Sequence, residues 1–253
     1  MSHAAPKASI RKTGAGKPMR ATGSPNRRGH RRPPSLAREV VVVVVVALAL
    51  SVFVRVFLFQ AFFVPSQSME NTLLVNDRIL TSKISTKLGG VSRGEVIVFS
   101  DPGGWLPAGL DSGGPTGWVK NVLTFVGLLP SDSGQDLVKR VIGVAGDHVL
   151  CCDDQGRIVL NSVSLDEPYI KPGGGTAQQK FDVIVPPGTV FVMGDNRGDS
   201  SDSRFHLAIN QGGVPLGNIV GRAVFRIYPI DRWGVIDIPV TFSNPALNKA
   251  PTR

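Results

Sequence analysis

A chain of 253 residues, 42% of them hydrophobic, can bury one core of ordinary domain size with tails, or two small ones. The formal charge of +9 is concentrated: ten of the 28 Lys and Arg lie in residues 1–38, which hold no acid, and the other 18 face 19 Asp and Glu. That balance excludes a basic nucleic-acid-binding surface on the folded part, and two adjacent cysteines exclude a disulfide scaffold and a cysteine-based zinc site.

In chain order, residues 1–35 are rich in Ala, Gly, Pro, Ser and base, with almost nothing to bury, and read as a disordered tail. Val40 to Val54 is apolar apart from Ser51; Arg55 interrupts, and Val56-Phe57-Leu58-Phe59 resumes. Spanning the hydrocarbon takes ~20 helical residues, so residues 36–59 are predicted to be a transmembrane helix with Arg55 reaching toward the interface. The apolar core is too long for a cleaved signal peptide, and no small-x-small pattern follows it. The basic tail should stay cytoplasmic. This predicts a single-pass cell-membrane protein with residues 60–253 on the extracytoplasmic face.

Beyond Val64 the pattern turns to short runs of branched apolar residues: 77–81, 95–99, 137–144, 148–150, 157–160, 183–185, 190–193 and 219–227. Gly, Pro, Asn and Asp clusters separate them. The expected fold is mainly β, an antiparallel catalytic sheet with a smaller β subdomain, tethered by the N-terminal helix. The predicted divisions are an outer domain at 60–240, with core segments near 60–100, 136–146 and 190–235, a small β subdomain at 147–189, and a polar tail at 241–253. An insertion at 101–135 contains Trp105 and Trp118. Its aromatics suit either a dip into the lipid interface or a loop capping the β core. Cys151-Cys152 suits either a vicinal disulfide or two buried thiols.

Two serines one residue apart, Ser66 and Ser68, follow Pro65 directly behind the anchor. A serine hydroxyl needs a base to remove its proton. Of the four histidines, His3 and His30 lie in the tail, His148 sits in a β run beside an acid, and His206 lacks an obvious partner. Lys139 stands in an apolar strand, Leu137–Val144, where a solvated ammonium is unexpected and burial would lower its pKa. Strand alternation predicts that one of Lys139 and Arg140 points inward.

Pro65-Ser66-x-Ser68-Met69-x-x-Thr72-Leu73, Arg93–Phe99, Val138–Gly143 and Gly194-Asp195-Asn196-Arg197-x-x-Ser200-x-Asp202-Ser203-Arg204 occur in that order behind the anchor. In this the chain resembles the bacterial type I signal peptidases, membrane-bound Ser/Lys endopeptidases that remove signal peptides from exported proteins. The resemblance implies Ser68 as nucleophile and Lys139 as general base. It also implies an oxyanion hole from the Ser66 hydroxyl and Ser68 N–H, a Ser200 that orients Lys139, and a buried Asp202–Arg204 ion pair. Phe62, Val64, Pro65, Met69, Leu73, Leu137 and Val138 would shape pockets for small side chains. It implies no metal and no cofactor. The implied partners are signal-peptide-bearing preproteins, the lipid bilayer and the export translocon, with no nucleic acid. The chain departs from the family pattern at Glu70-Asn71, where proline is frequent at the second position, at Ala145, and at Leu137. The rival readings are a self-cleaving Ser/Lys peptidase and an inactive tethered β scaffold.

Overall fold

The computed structural model describes residues 36–106, 136–174 and 179–248. The basic tail and Trp118 lie outside them. Leu36–Phe57 form a 22-residue helix, α1, whose acidic Glu39 sits in the first turn, where it complements the helix dipole. Its described side chains are largely exposed valine, leucine and phenylalanine, and the helix is long and apolar enough to cross a membrane. It stops two residues before the expected end at Phe59. Leu58 N–H still donates to Val54 at 2.8 Å, but Phe59 already pairs with Ser82, so a strand partner takes over the backbone.

Strand β1 (Phe59–Phe63) pairs antiparallel with β2 (Arg78–Ser82), which the short helix α2 (Lys83–Leu88) follows. The remaining strands of the main sheet are β3 (Val96–Ser100), β4 (Asp136–Val144), β9 (Thr189–Met193), β10 (Val214–Pro215) and β11 (Ile219–Tyr228). They run in the order β1-β2-β11-β3-β4-β9-β10, with β12 (Gly234–Val235) added beside β11. A second antiparallel sheet, ordered β7-β6-β5-β8, holds β5 (His148–Cys151), β6 (Ile158–Leu160), β7 (Val163–Ser164) and β8 (Phe181–Ile184). The mainly β, antiparallel reading is therefore what the chain adopts.

Alternation along β3 and β4 sends side chains to two buried faces. Val96, Val98 and Val138 join Phe62, Val64, Met69, Leu73 and Ile79 in one apolar cluster. Ile97, Phe99 and Val141 join Trp105, Val190 and Val192 in another, with Leu137 against it. A strand covered on both faces has no solvent side, so Lys139 and Arg140 are both buried, at 3% and 1% exposure. At least one of the pair was expected to point inward; both do, because this strand has no wet face.

Two open alternatives are decided for the described residues, and one expectation changes. Trp105 caps the core edge-on to Phe99, 5.7 Å between ring centroids, and lies 4.3 Å from the His206 ring. The supposed polar tail is packed as far as it is described: Leu247 is fully buried beneath the second sheet and Phe242 lies against the same cluster. Two apolar anchors five residues apart leave too faint a signal in a polar run. Cys151 and Cys152 are bonded to each other.

Candidate active site

Three segments meet. Ser66 and Ser68 lie in the loop between β1 and β2, Lys139 lies on β4, and residues 194–204 leave the end of β9. Val64 N–H donates to Asp77 and Val64 accepts from Asn76, at 2.9 and 3.0 Å, which pins the base of the loop. Pro65 then leads into a single 3-10 turn, Gln67–Met69, in which Ser68 and Met69 are buried. Met69 and Leu73 drop into the cluster with Phe62, Val64 and Val138, so apolar burial seats the loop.

Lys139 Nζ is 2.6 Å from Ser68 Oγ, and Ser66 Oγ is 3.2 Å from the same oxygen. Burial is the largest influence on the lysine; despite attraction from Asp202, its pKa is lowered to about 8. Burial by itself would raise the Asp202 carboxyl, but the hydrogen bonds and charge of Arg204 outweigh it and hold Asp202 below the usual carboxylate range. Both members of that pair are fully buried, with Arg204 Nε and Nη2 donating to the two carboxylate oxygens at 2.8 and 2.9 Å. They sit at the start of a 3-10 turn, which Asp202 caps.

Ser200 Oγ donates to Asp202 Oδ2 at 2.7 Å, and Gly194 N–H to the same oxygen at 3.0 Å. The Ser200 hydroxyl is thus directed at Asp202, and the hydrogen bond to Lys139 that the resemblance implies is not formed. A carboxylate is the stronger acceptor, and it lies two residues away. Of the residues expected to shape pockets, Phe62, Val64, Met69, Leu73 and Val138 are buried together. Pro65 is exposed, and Leu137 lies against the opposite cluster because it alternates with Val138.

The family model "Signal peptidase, peptidase S26" matches residues 37–228. Signal peptidase I of Mycobacterium tuberculosis is 38% identical over 226 residues, covering 80% of this chain and 76% of that protein. The chain belongs to the signal peptidase S26 family. It is a peptidase. The probable signal peptidase I of Mycobacterium leprae is 36% identical, covering 78% of each chain. Signal peptidase I U of Bacillus subtilis is 31% identical, covering 76% of this chain and 88% of that one. The crystal structure of an Enterococcus faecalis signal peptidase I aligns at 26% identity with a TM-score of 0.33, over 52% of this chain and 95% of that one, too loosely to transfer geometry.

This S26 peptidase carries a clamp to which the sequence reading gave no role. Asn196 N–H donates to Ser68 O at 3.0 Å, and its side-chain amide to Gln67 O at 3.1 Å. Thr72 Oγ1 donates to Asp195 Oδ2 at 2.5 Å, while Arg140 binds both Asp195 oxygens at 2.8 and 2.7 Å. Arg140 also reaches Gly94 O and stacks 4.5 Å over the Tyr169 ring. Arg197 closes the layer on Glu167, which also accepts from Tyr169. A Cβ on Gly194 would fall 2.4 Å from Ser68 O and 2.3 Å from Ser200 Oγ, so only glycine lets the two loops touch. The available signal was chemical. Several charges in apolar surroundings must pair with one another, and Arg140 and Asp195 were both in the motifs.

Proposed function

We propose that this chain removes N-terminal signal peptides from exported preproteins after small-x-small motifs, with Ser68 as nucleophile and Lys139 as general base. One observation carries the reading: the 2.6 Å approach of a buried, pKa-lowered lysine to a loop serine. A charged Lys139 donates to Ser68 Oγ; the neutral amine accepts the Ser68 proton along the same line. The alkoxide then attacks the scissile carbonyl, and Lys139 returns the proton to the leaving amine. An acyl-enzyme on Ser68 follows, and the same lysine activates the water that hydrolyses it. The Ser66 hydroxyl and the Ser68 N–H are the donors for the tetrahedral oxyanion, each worth roughly 3 kcal/mol of barrier.

The sheet supports an extended substrate. Among the described residues, β9 pairs with β4 from Arg140 onward, and β1 lies at the end of the sheet order beside β2. Phe62 of β1 and Val138 of β4 share one apolar cluster. A signal-peptide end that adds as a strand between these edges would present small side chains to that cluster and its carbonyl to Ser68. The membrane side of the reading rests on α1 and on β1 beginning two residues after α1 ends. Exposed Tyr228, Ile230, Trp233 and Val235 suit the water–lipid interface. The basic tail on the cytoplasmic side sets the orientation.

The test is cleavage of a preprotein by detergent-solubilised full chain beside Ser68→Ala and Lys139→Ala. Wild type should release the mature protein at the small-x-small site, with both variants folded and inactive. Cleavage by either variant at the wild-type rate would end the Ser/Lys assignment, and an inert wild type would favour a tethered scaffold.

A further inference from the structure

A groove of about 520 Å³ lies beside the nucleophile loop, between the turn at Gly156-Arg157 and the segment Leu165–Gly174. Its inner wall is built on the same frame as the catalytic loop. Asn71 donates its side-chain amide to Tyr169 O at 2.8 Å, and Lys171 N–H donates to Asp195 O at 2.8 Å. Gly174 packs so tightly on the 197–198 backbone that a Cβ would meet Gly198 N at 3.1 Å. The link between site and groove is an ion pair, Lys171 Nζ to Glu70 Oε2 at 2.5 Å, two residues beyond Ser68. Glu70 and Asn71 thus dock the nucleophile loop onto the groove wall.

We infer that this groove receives the mature segment of the preprotein, the stretch C-terminal to the cleaved bond, and favours basic residues there. The inference rests on the signal-peptidase reading above. The signal-peptide side of an extended substrate is committed to the β1 and β4 edges, so the chain beyond the scissile bond must leave past Ser68. Two residues of loop and one ion pair separate Ser68 from the groove. Extended peptide advances ~3.3 Å per residue, so the groove falls at about the third to sixth mature positions.

Its charges set the preference. Arg157 is held by Asp153, Lys171 by Glu70, and Glu167 by Arg197. Asp166 lines the groove, is exposed, and forms no ion pair among the described residues. With the other lining charges paired, the Asp166 carboxylate would attract a lysine or arginine of the passing chain.

The experiment uses full-length protein in detergent and preproteins with one signal peptide and a Lys, Gln or Glu at the fourth mature position. The ratio of kcat/KM for the Lys and Glu substrates is read within each enzyme, so any general loss of activity cancels. Wild type should favour Lys roughly two- to fivefold, as for an exposed charge contact. Asp166→Asn should bring the ratio close to one, and added salt should do the same to wild type. In parallel, Ser68→Ala is irradiated with a preprotein carrying a photoreactive benzophenone at that position, and the adduct should map to residues 155–174. An adduct elsewhere, or a charge ratio unmoved by Asp166→Asn, overturns the groove while leaving signal-peptide cleavage standing. Failure of wild type to cleave the Gln substrate overturns both, since the groove then has no substrate to receive.

Discussion

The Lys139 amine lies 2.6 Å from Ser68 Oγ, and burial outweighs the attraction of Asp202, bringing its pKa from 10.5 to about 8. In the proposed mechanism the neutral amine is the reactive form, so kcat/KM should climb through about pH 8 and level off above it; a profile flat from pH 6 to 9 would remove Lys139 from the role of base. Stability carries the same sign. Between about pH 8 and 10.5 the unfolded chain holds a proton that the folded chain has lost, so stability from this group rises across that window and is lowest below it. The cost below pH 8 is about 3 kcal/mol. Lys139→Met should therefore be inactive yet more stable than wild type at pH 6, by up to ~3 kcal/mol in urea unfolding, with the gain fading above pH 10. A variant less stable at pH 6 would show that the lysine is not held at an electrostatic cost. At Gly194, a Cβ would collide with Ser68 O, which backbone cannot yield cheaply. Gly194→Ala should lower kcat on the order of 100-fold or more while the protein stays folded, because a shift near 1 Å in a nucleophile has that effect.

At the scale of elements, the β1–β2 loop and the segment after β9 form one unit because charges bind them from beneath. Arg140 and Asp195 are both nearly inaccessible, and removing one leaves the other buried without its partner. Asp195→Asn should cost about 3 to 5 kcal/mol by chemical denaturation. Arg157→Gln, which breaks the half-exposed pair with Asp153, should leave the unfolding midpoint where it is. Equal effects would mean that the buried network does not brace the loops. The contrast also explains what was legible in the sequence. The β runs at 95–99, 137–144, 190–193 and 219–227 stood out because branched residues between turn residues have few other solutions, and each is a strand within a residue or two. The Ser68–Lys139 contact was legible because a lysine in an apolar strand needs a reason. The Arg140–Asp195–Thr72 layer was not, since it depends on which faces a strand covers and on contacts across 55 to 123 positions of chain; nor was the turn of Ser200 toward Asp202, a choice between two acceptors that only the folded site decides. Leu137, one step out of phase with Val138, was assigned to the wrong face for the same reason.

At the scale of the molecule, the main sheet ends at an apolar rim that the fold leaves open. Ile230 is 74% and Trp233 61% exposed, beside exposed Tyr228 and Val235. Arg232 binds Asp77 at 2.8 Å, and Asp77 in turn accepts from Leu74 N–H, which draws the exposed Leu74 and Val75 toward the same rim. Trp233 is oriented by its own indole N–H, which donates to Ile227 O at 2.5 Å. A patch of this kind would be an aggregation hazard on a protein free in water, but it suits a domain tethered two residues beyond an apolar helix. Burying each large side chain in lipid is worth about 1.5 to 3 kcal/mol. The double variant Ile230→Ser, Trp233→Ser should therefore cleave a preprotein embedded in vesicles at least ~10-fold more slowly than wild type. With a short water-soluble peptide spanning the cleavage site, the two enzymes should perform alike, because the rim contributes nothing to the chemistry at Ser68. Equal losses on both substrates would mean that the rim supports the fold or the active site. Equal activity on both would mean that α1 alone holds the catalytic domain at the bilayer.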